Sequence, residues 1–195
     1  MRAAIAMAYG HLVGITCSAN KHRPCKTDTL NKYSRIAFEA FKNAKSHPEQ
    51  MVTLLALRNT KIPSAIERLI PYIKSGVVSR ALRPHVIYAL SPLAHANRDK
   101  FLAAVMPIVL NMTETTEIRV AAIATIFDVK PTFLELQQLI AVAVWERNLE
   151  VRNFIITTFR VIITLRNPIF NSQHLLKWIL AFFIFTIAVL KLKIN

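Results

Sequence analysis

The residues of this chain with chemistry to offer are two cysteines, six histidines and a large excess of basic side chains. Cys17 and Cys25 stand in "CSANKHRPC" with seven residues between them. That spacing is too long for a Cys-x-x-Cys redox pair, and the chain lacks the second pair a structural zinc site needs. Two readings stay open on spacing alone. The thiols are free, or they form a local disulfide across a polar, exposed turn, as an oxidising compartment would permit. The histidines (His11, His22, His47, His85, His95, His174) share no spacing and have few acids beside them. A catalytic site must converge several groups, so they read as surface or packing residues. There is no nucleophile elbow, Gly-rich phosphate loop or HExxH. No catalytic, cofactor-binding or metal-binding residue is expected, and the chain reads as a non-enzyme.

Charge points to the kind of partner. Lys and Arg number 25 against 11 Asp and Glu, a net charge of +14. Such a balance attracts nucleic acid, phospholipid head groups or an acidic protein face. Most basic residues are scattered among apolar neighbours; the dense cluster is Lys21, His22, Arg23 and Lys26. With no RGG run, aromatic stacking box or zinc-finger spacing, nucleic acid is not the expected partner. Asn111-Met112-Thr113 is a glycosylation sequon at a predicted helix end, of use only on the secretory route.

The elements that carry these residues repeat. "RPHVIYAL" begins at Arg83, "RVAAIATI" at Arg119 and "RNFIITTF" at Arg152, spacings of 36 and 33. "IERLIPYI" from Ile66 and "LAAVMPIV" from Leu102 place Pro71 and Pro107 at matching points. Ile62, Ala65, Ile66, Leu69, Ile70 and Ile73 follow the helix period, as do Phe101, Leu102, Val105, Met106, Val109 and Leu110. One helix pair cannot bury its apolar face alone, so a period in the mid thirties predicts a stack of pairs, an α-solenoid. Residues 118–127 are apolar almost all round, as suits a helix held between layers. Each recurring Arg is expected in the first turn of an inner helix, its stem over apolar neighbours and its head in solvent or on an adjacent carboxylate. Glu117 and Glu150 suit helix N-termini. The expectation is an all-α right-handed superhelix of about nine helices within residues 1–166.

The ends read differently. "MRAAIAMAYGHLVGITCSA" imitates a signal peptide, but Tyr9, Gly10 and His11 interrupt its apolar stretch. It is read here as an amphipathic helix with Ile5, Ala8, Tyr9, Leu12 and Val13 on its apolar face. Trp178 to Leu190 is a 13-residue run without charge inside a tail spanning 167–195. At about 1.5 Å per residue it reaches roughly 20 Å, short of a roughly 30 Å hydrocarbon core. Membrane anchor, buried terminal helix and appended tail all remain open for it.

Taken together, "LVGITC", "LLALRNTKIPSAIERLIPYI", "VIYALSPLA", "MPIVLNMTETTEIRVAAIATIFDVKPTFLELQQLI" and "NFIITTF" resemble the N-terminal module of the large lipid-transfer proteins. These are the vitellogenins, apolipophorins, apolipoprotein B and the microsomal triglyceride transfer protein. The similarity runs from about Ala3 to Leu165. The family's module holds a β-barrel, a superhelix of paired helices and lipid-contacting sheets, and this chain resembles the superhelix. Where the family carries "ALGNAG" the chain has "ALRNTK", with Arg58 and Lys61 replacing small residues.

The resemblance implies lipid transport as part of a larger module, no cofactor, and a chain that is a fragment or truncated relative with Met1 internal. It implies an extracellular protein, and with that a Cys17–Cys25 disulfide and a glycan on Asn111. Lys21, Arg23, Lys26, Arg58, Lys61, Arg68 and Lys74 then become contacts for lipid head groups, an acidic receptor module or another lipoprotein domain. The alternative is a basic protein-interaction solenoid of the HEAT or armadillo kind with reduced cysteines.

Overall fold

In the computed structural model, residues 2–18, 25–74 and 76–164 are described. They are all-helical: nine α-helices, two short 3-10 segments and one π turn, with no strand among the described residues. The helices are α1 (Arg2–Val13), α2 (Thr27–Lys42), α3 (His47–Asn59), α4 (Ala65–Leu69), α5 (Arg83–Leu90), α6 (Arg98–Leu110), α7 (Thr116–Asp128), α8 (Phe133–Trp145) and α9 (Leu149–Thr164). The 167–195 tail, including Trp178 to Leu190, lies outside the described residues, as do Lys21 and Arg23. None of the described helices is long and apolar enough to cross a membrane.

Local sequence sets several boundaries. Ser46 caps α3 by accepting from the Glu49 N–H, and Pro48 fits the first turn, where no partner for an N–H is needed. Thr132 and Glu135 form a reciprocal capping box at the start of α8. Asn148 caps α9, its side-chain oxygen accepting from the Glu150 and Val151 N–H groups. Two helices end on lysines in the left-handed region, Lys61 (φ 52°) after α3 and Lys130 (φ 58°) after α7. Glycine fills such a position without strain, and lysine does not. Lys61 is the position where the resembled family carries glycine.

The helices form two rows. In one row α1 packs on α3, α3 on α5, α5 on α7 and α7 on α9; in the other lie α2, α4, α6 and α8. Across the rows, α2 packs on α3, α6 on α7 and α8 on α9. Polar contacts between neighbouring repeats recur at one repeat length. Ser64–Asn31, Asn97–Pro63, Lys100–Glu67, Arg98–Glu135, Ser91–Asp128 and Asn148–Thr116 join residues 32 to 37 apart. The period read from apolar residues is thus also the period of the bonds that hold the stack.

The main core runs from Ala37 to Phe159 through every pair. In α4 and its 3-10 continuation Ile70–Ile73, the expected apolar stripe is buried apart from half-buried Ile70. In α6 the buried stripe is Phe101, Val105, Ile108 and Val109, so Leu110, assigned inward from periodicity, is 55% exposed at the helix end. The first helix corrects a second assignment. Ile5, Ala8 and Leu12 are exposed, and the buried face is Gly10, Val13, Gly14 and Cys17. A Cβ on Gly10 would lie 2.1 Å from the Ala56 carbonyl oxygen, and one on Gly14 would lie 2.2 Å from that of Asn59. The glycine face lets α1 meet α3 backbone to backbone, a contact that hydrophobic periodicity does not register.

Candidate functional site

Two of the three recurring arginines, Arg83 and Arg119, are buried clamps. Arg83 is 6% exposed and Arg119 is 2% exposed, so neither head extends into bulk solvent. Arg83 Nε donates to the Ile73 carbonyl, ten residues back, and its Nη1 meets Glu114 at 2.7 Å. Arg119 repeats the arrangement: Nε and Nη2 donate to the Val109 carbonyl at 3.2 and 3.0 Å, and Nη2 pairs with Glu146. Each guanidinium therefore satisfies a carbonyl at the end of the preceding helical segment of the other row, which has no partner inside its own segment. Each also takes a carboxylate from a loop further along the chain. The carboxylates brace those loops: Glu114 accepts from the Thr115 N–H and Glu146 from the Asn148 N–H.

Of the two expected positions for the arginine head, the carboxylate is realised, but neither Glu117 nor Glu150 supplies it to Arg83 or Arg119. Glu117 instead makes an exposed contact with Arg80 at 3.7 Å. The third arginine, Arg152, is half-buried in the first turn of α9. Burial pushes the Glu146 carboxyl up, but Arg119 and the N–H groups of Asn148 and Arg147 outweigh it. The net effect holds Glu146 below the ordinary glutamate value of 4.5. Glu135 behaves alike: burial raises it, while Arg98, bidentate on its carboxylate, and Thr132 pull it below 4.5.

Between the Ile70–Ile73 segment and α6 lies a cleft of about 770 Å³. Ile70, Ile73, Ala103, Ala104, Pro107 and Ile108 form its walls. One end carries the Glu67–Lys100 pair. The other carries the Arg83–Glu114 clamp, Lys74 and Asn111. The matching prolines Pro71 and Pro107 both line it, so the cleft is a product of the repeat. A smaller cleft of about 320 Å³ lies against α1, lined by Ile5, Ala6, Tyr9, Ile36, Ala37, Ala40, Thr53 and Ala56, with no charged residue.

The structure divides the residues expected to meet acidic partners. Arg68 is half-buried with its guanidinium 5.9 Å from the Phe38 ring centre. Arg58 is half-buried in the last turn of α3, where a cation suits the helix dipole. Lys61 is exposed in its left-handed turn, Lys26 is exposed before α2, and Lys74 is exposed at the cleft. These residues do not form one patch on a single element. Asn111 is exposed just after α6, with its side-chain oxygen accepting from both the N–H and the hydroxyl of Thr113. Cys17 is bonded to Cys25, which ties the end of α1 to the start of α2. His11, His47 and His85 are exposed on three different helices, while His22 and His174 lie outside the described residues.

The buried clamp is what sequence reasoning missed. Its signal was present in the recurring Arg together with Glu114 and Glu146 in the loops, but those two carboxylates sit at unequal distances from their arginines.

Comparison with known proteins gives this architecture its relatives. Vitellogenin-6 of Oscheius tipulae is 25% identical over 178 residues, covering 86% of this chain and 11% of that protein. Vitellogenin-5 of Caenorhabditis elegans is 25% identical over 150 residues, covering 77% of this chain and 9% of its own length. The chain thus spans only a small part of the curated relatives it matches. The model of the vitellogenin TPR domain family matches residues 1–160, nearly the whole described stack. The chain belongs to that family, the helical part of the N-terminal module of the vitellogenin-type large lipid-transfer proteins.

Proposed function

We propose that this chain acts as the helical scaffold of a secreted lipid carrier, a curved stack of helix pairs that supports a lipid-holding remainder. The observation that carries the reading is the family match over residues 1–160 on an all-helical stack whose repeats are locked by buried arginines. In this reading the recurring arginines are architectural, catalysis is no part of the chain's work, and lipid belongs to the whole module. The disulfide and the exposed Asn111 sequon suit an oxidising secretory route, with Asn111 as the glycan acceptor. A net charge of +14 suits lipid head groups, an acidic receptor module or another lipoprotein domain.

Flotation of the full chain, and of residues 1–166, with neutral and anionic vesicles across a salt series tests this. Anionic vesicles should bind more, and the excess should shrink with salt, because exposed charges are screened beyond about 8 Å at physiological ionic strength. No flotation of either form, in protein shown to be folded, would count against the reading. Binding by the full chain alone would move membrane affinity to the 167–195 tail and away from the helical stack.

A further inference from the structure

The cleft between the Ile70–Ile73 segment and α6 combines apolar walls with charged ends. Its walls are apolar, and its volume of about 770 Å³ falls within the roughly 300–1,000 Å³ typical of small-molecule sites. Its length follows α6 from Lys100 at one end to Asn111 at the other. At 1.5 Å per residue that is roughly 16 Å, the reach of roughly a dozen carbons in an extended chain. Two of its three cations are already matched, Lys100 by Glu67 and Arg83 by Glu114. Lys74 has no ion-pair partner among the described residues and is exposed at the Arg83–Glu114 end. The lining therefore carries one positive charge more than it neutralises, at one end of an apolar slot.

We infer that this cleft binds a single-chain long carboxylate, a fatty acid, with its carboxylate on Lys74 and its chain between Ile70, Ala103, Ala104 and Ile108. The prolines help to shape the slot. Pro71 and Pro107 give no N–H to the carbonyls of Glu67 and Ala103, and their rings add apolar wall where a helix would otherwise continue unchanged. The smaller cleft against α1 has no cation and is less than half the volume, so it supplies an internal contrast. The assignment concerns free fatty acid and is independent of whether the chain scaffolds a larger carrier.

The test is equilibrium binding of saturated fatty acids of eight to eighteen carbons to the full chain, with the matching alcohols as neutral controls. Affinity should rise about fourfold per added methylene up to about twelve to fourteen carbons and then level off, once the slot is full. Ala103→Trp, at an exposed wall position, should weaken acid and alcohol alike by about tenfold or more, because the indole fills the slot. Lys74→Gln, at an exposed position and adding no carboxylate beside the Arg83–Glu114 clamp, should weaken the acids by about three- to fivefold and leave the alcohols unchanged. Binding that ignores both substitutions would place the lipid elsewhere on the chain and overturn the assignment. So would affinity that climbs steadily through eighteen carbons, or no binding of any acid by folded protein. Vesicle flotation could fail while these results hold, which separates this inference from the carrier reading.

Discussion

The N-terminal junction and the middle of the stack are held by different physics. At the junction α1 lies on α3 through Gly10 and Gly14, over a small satellite core of Val13, Cys17 and Ile62, with a disulfide beside it. In the middle, α5 and α7 sit inside a continuous core and each sends a buried arginine to the preceding helix end and a later carboxylate. The junction depends on the absence of side chains, and the middle depends on two large ones. Loss of contact at the first should be local, whereas loss at the second should be felt by the whole stack.

The largest effect is expected from Arg119→Met. It leaves Glu146 and the Val109 carbonyl buried without their partner, a change that typically costs about 3–5 kcal/mol. Chemical denaturation of the full chain would show it as a lower midpoint. Acid should attack the same contacts. Glu146 and Glu135 are held below 4.5 in the folded state, so their stabilising contribution is complete above 4.5 and is lost as pH falls through the depressed values. Denaturation midpoints should therefore decline below pH 4.5, and the decline should be shallower in Arg119→Met.

Removing the disulfide should loosen the N-terminal junction alone. Cys17→Ser with Cys25→Ser should cost about 2–3 kcal/mol in the loop-entropy account of so short a loop. Amide exchange should quicken in α1 while α7 keeps its protection. Gly10→Ala acts on the same junction, because its Cβ would meet the Ala56 backbone. A loss of about 1–3 kcal/mol is expected, confined to α1 exchange. Equal loss of protection in α7 would mean that the two regions are not separable.

These contrasts follow how far the sequence could be read. Helix type, the apolar stripes of α4, α6 and α7 and the repeat period follow from side-chain pattern, because burial selects for it residue by residue. Arg83 and Arg119 announced themselves by position, but the carbonyls they satisfy carry no sequence signal, since every residue has one. Gly10 looked like an interruption of an apolar helix, and together with Gly14 it forms the contact face. The cleft was likewise out of reach, because it arises where two segments with matching prolines lie side by side.

The smallest effect goes the other way. Lys61→Gly should stabilise by up to about 1 kcal/mol, since the left-handed turn after α3 costs lysine more than it costs glycine. A neutral or destabilising result would show that the Lys61 side chain makes a contact that offsets its backbone strain.

The central claim is that the recurring arginine is an architectural clamp between repeats. A double-mutant cycle on Arg119 and Glu146, with Arg119→Met, Glu146→Leu and both together, tests it by denaturation of the full chain at neutral pH. Each single change should be costly and the pair should cost clearly less than their sum, with a coupling of at least about 2 kcal/mol. Single losses below about 1 kcal/mol that simply add would contradict it.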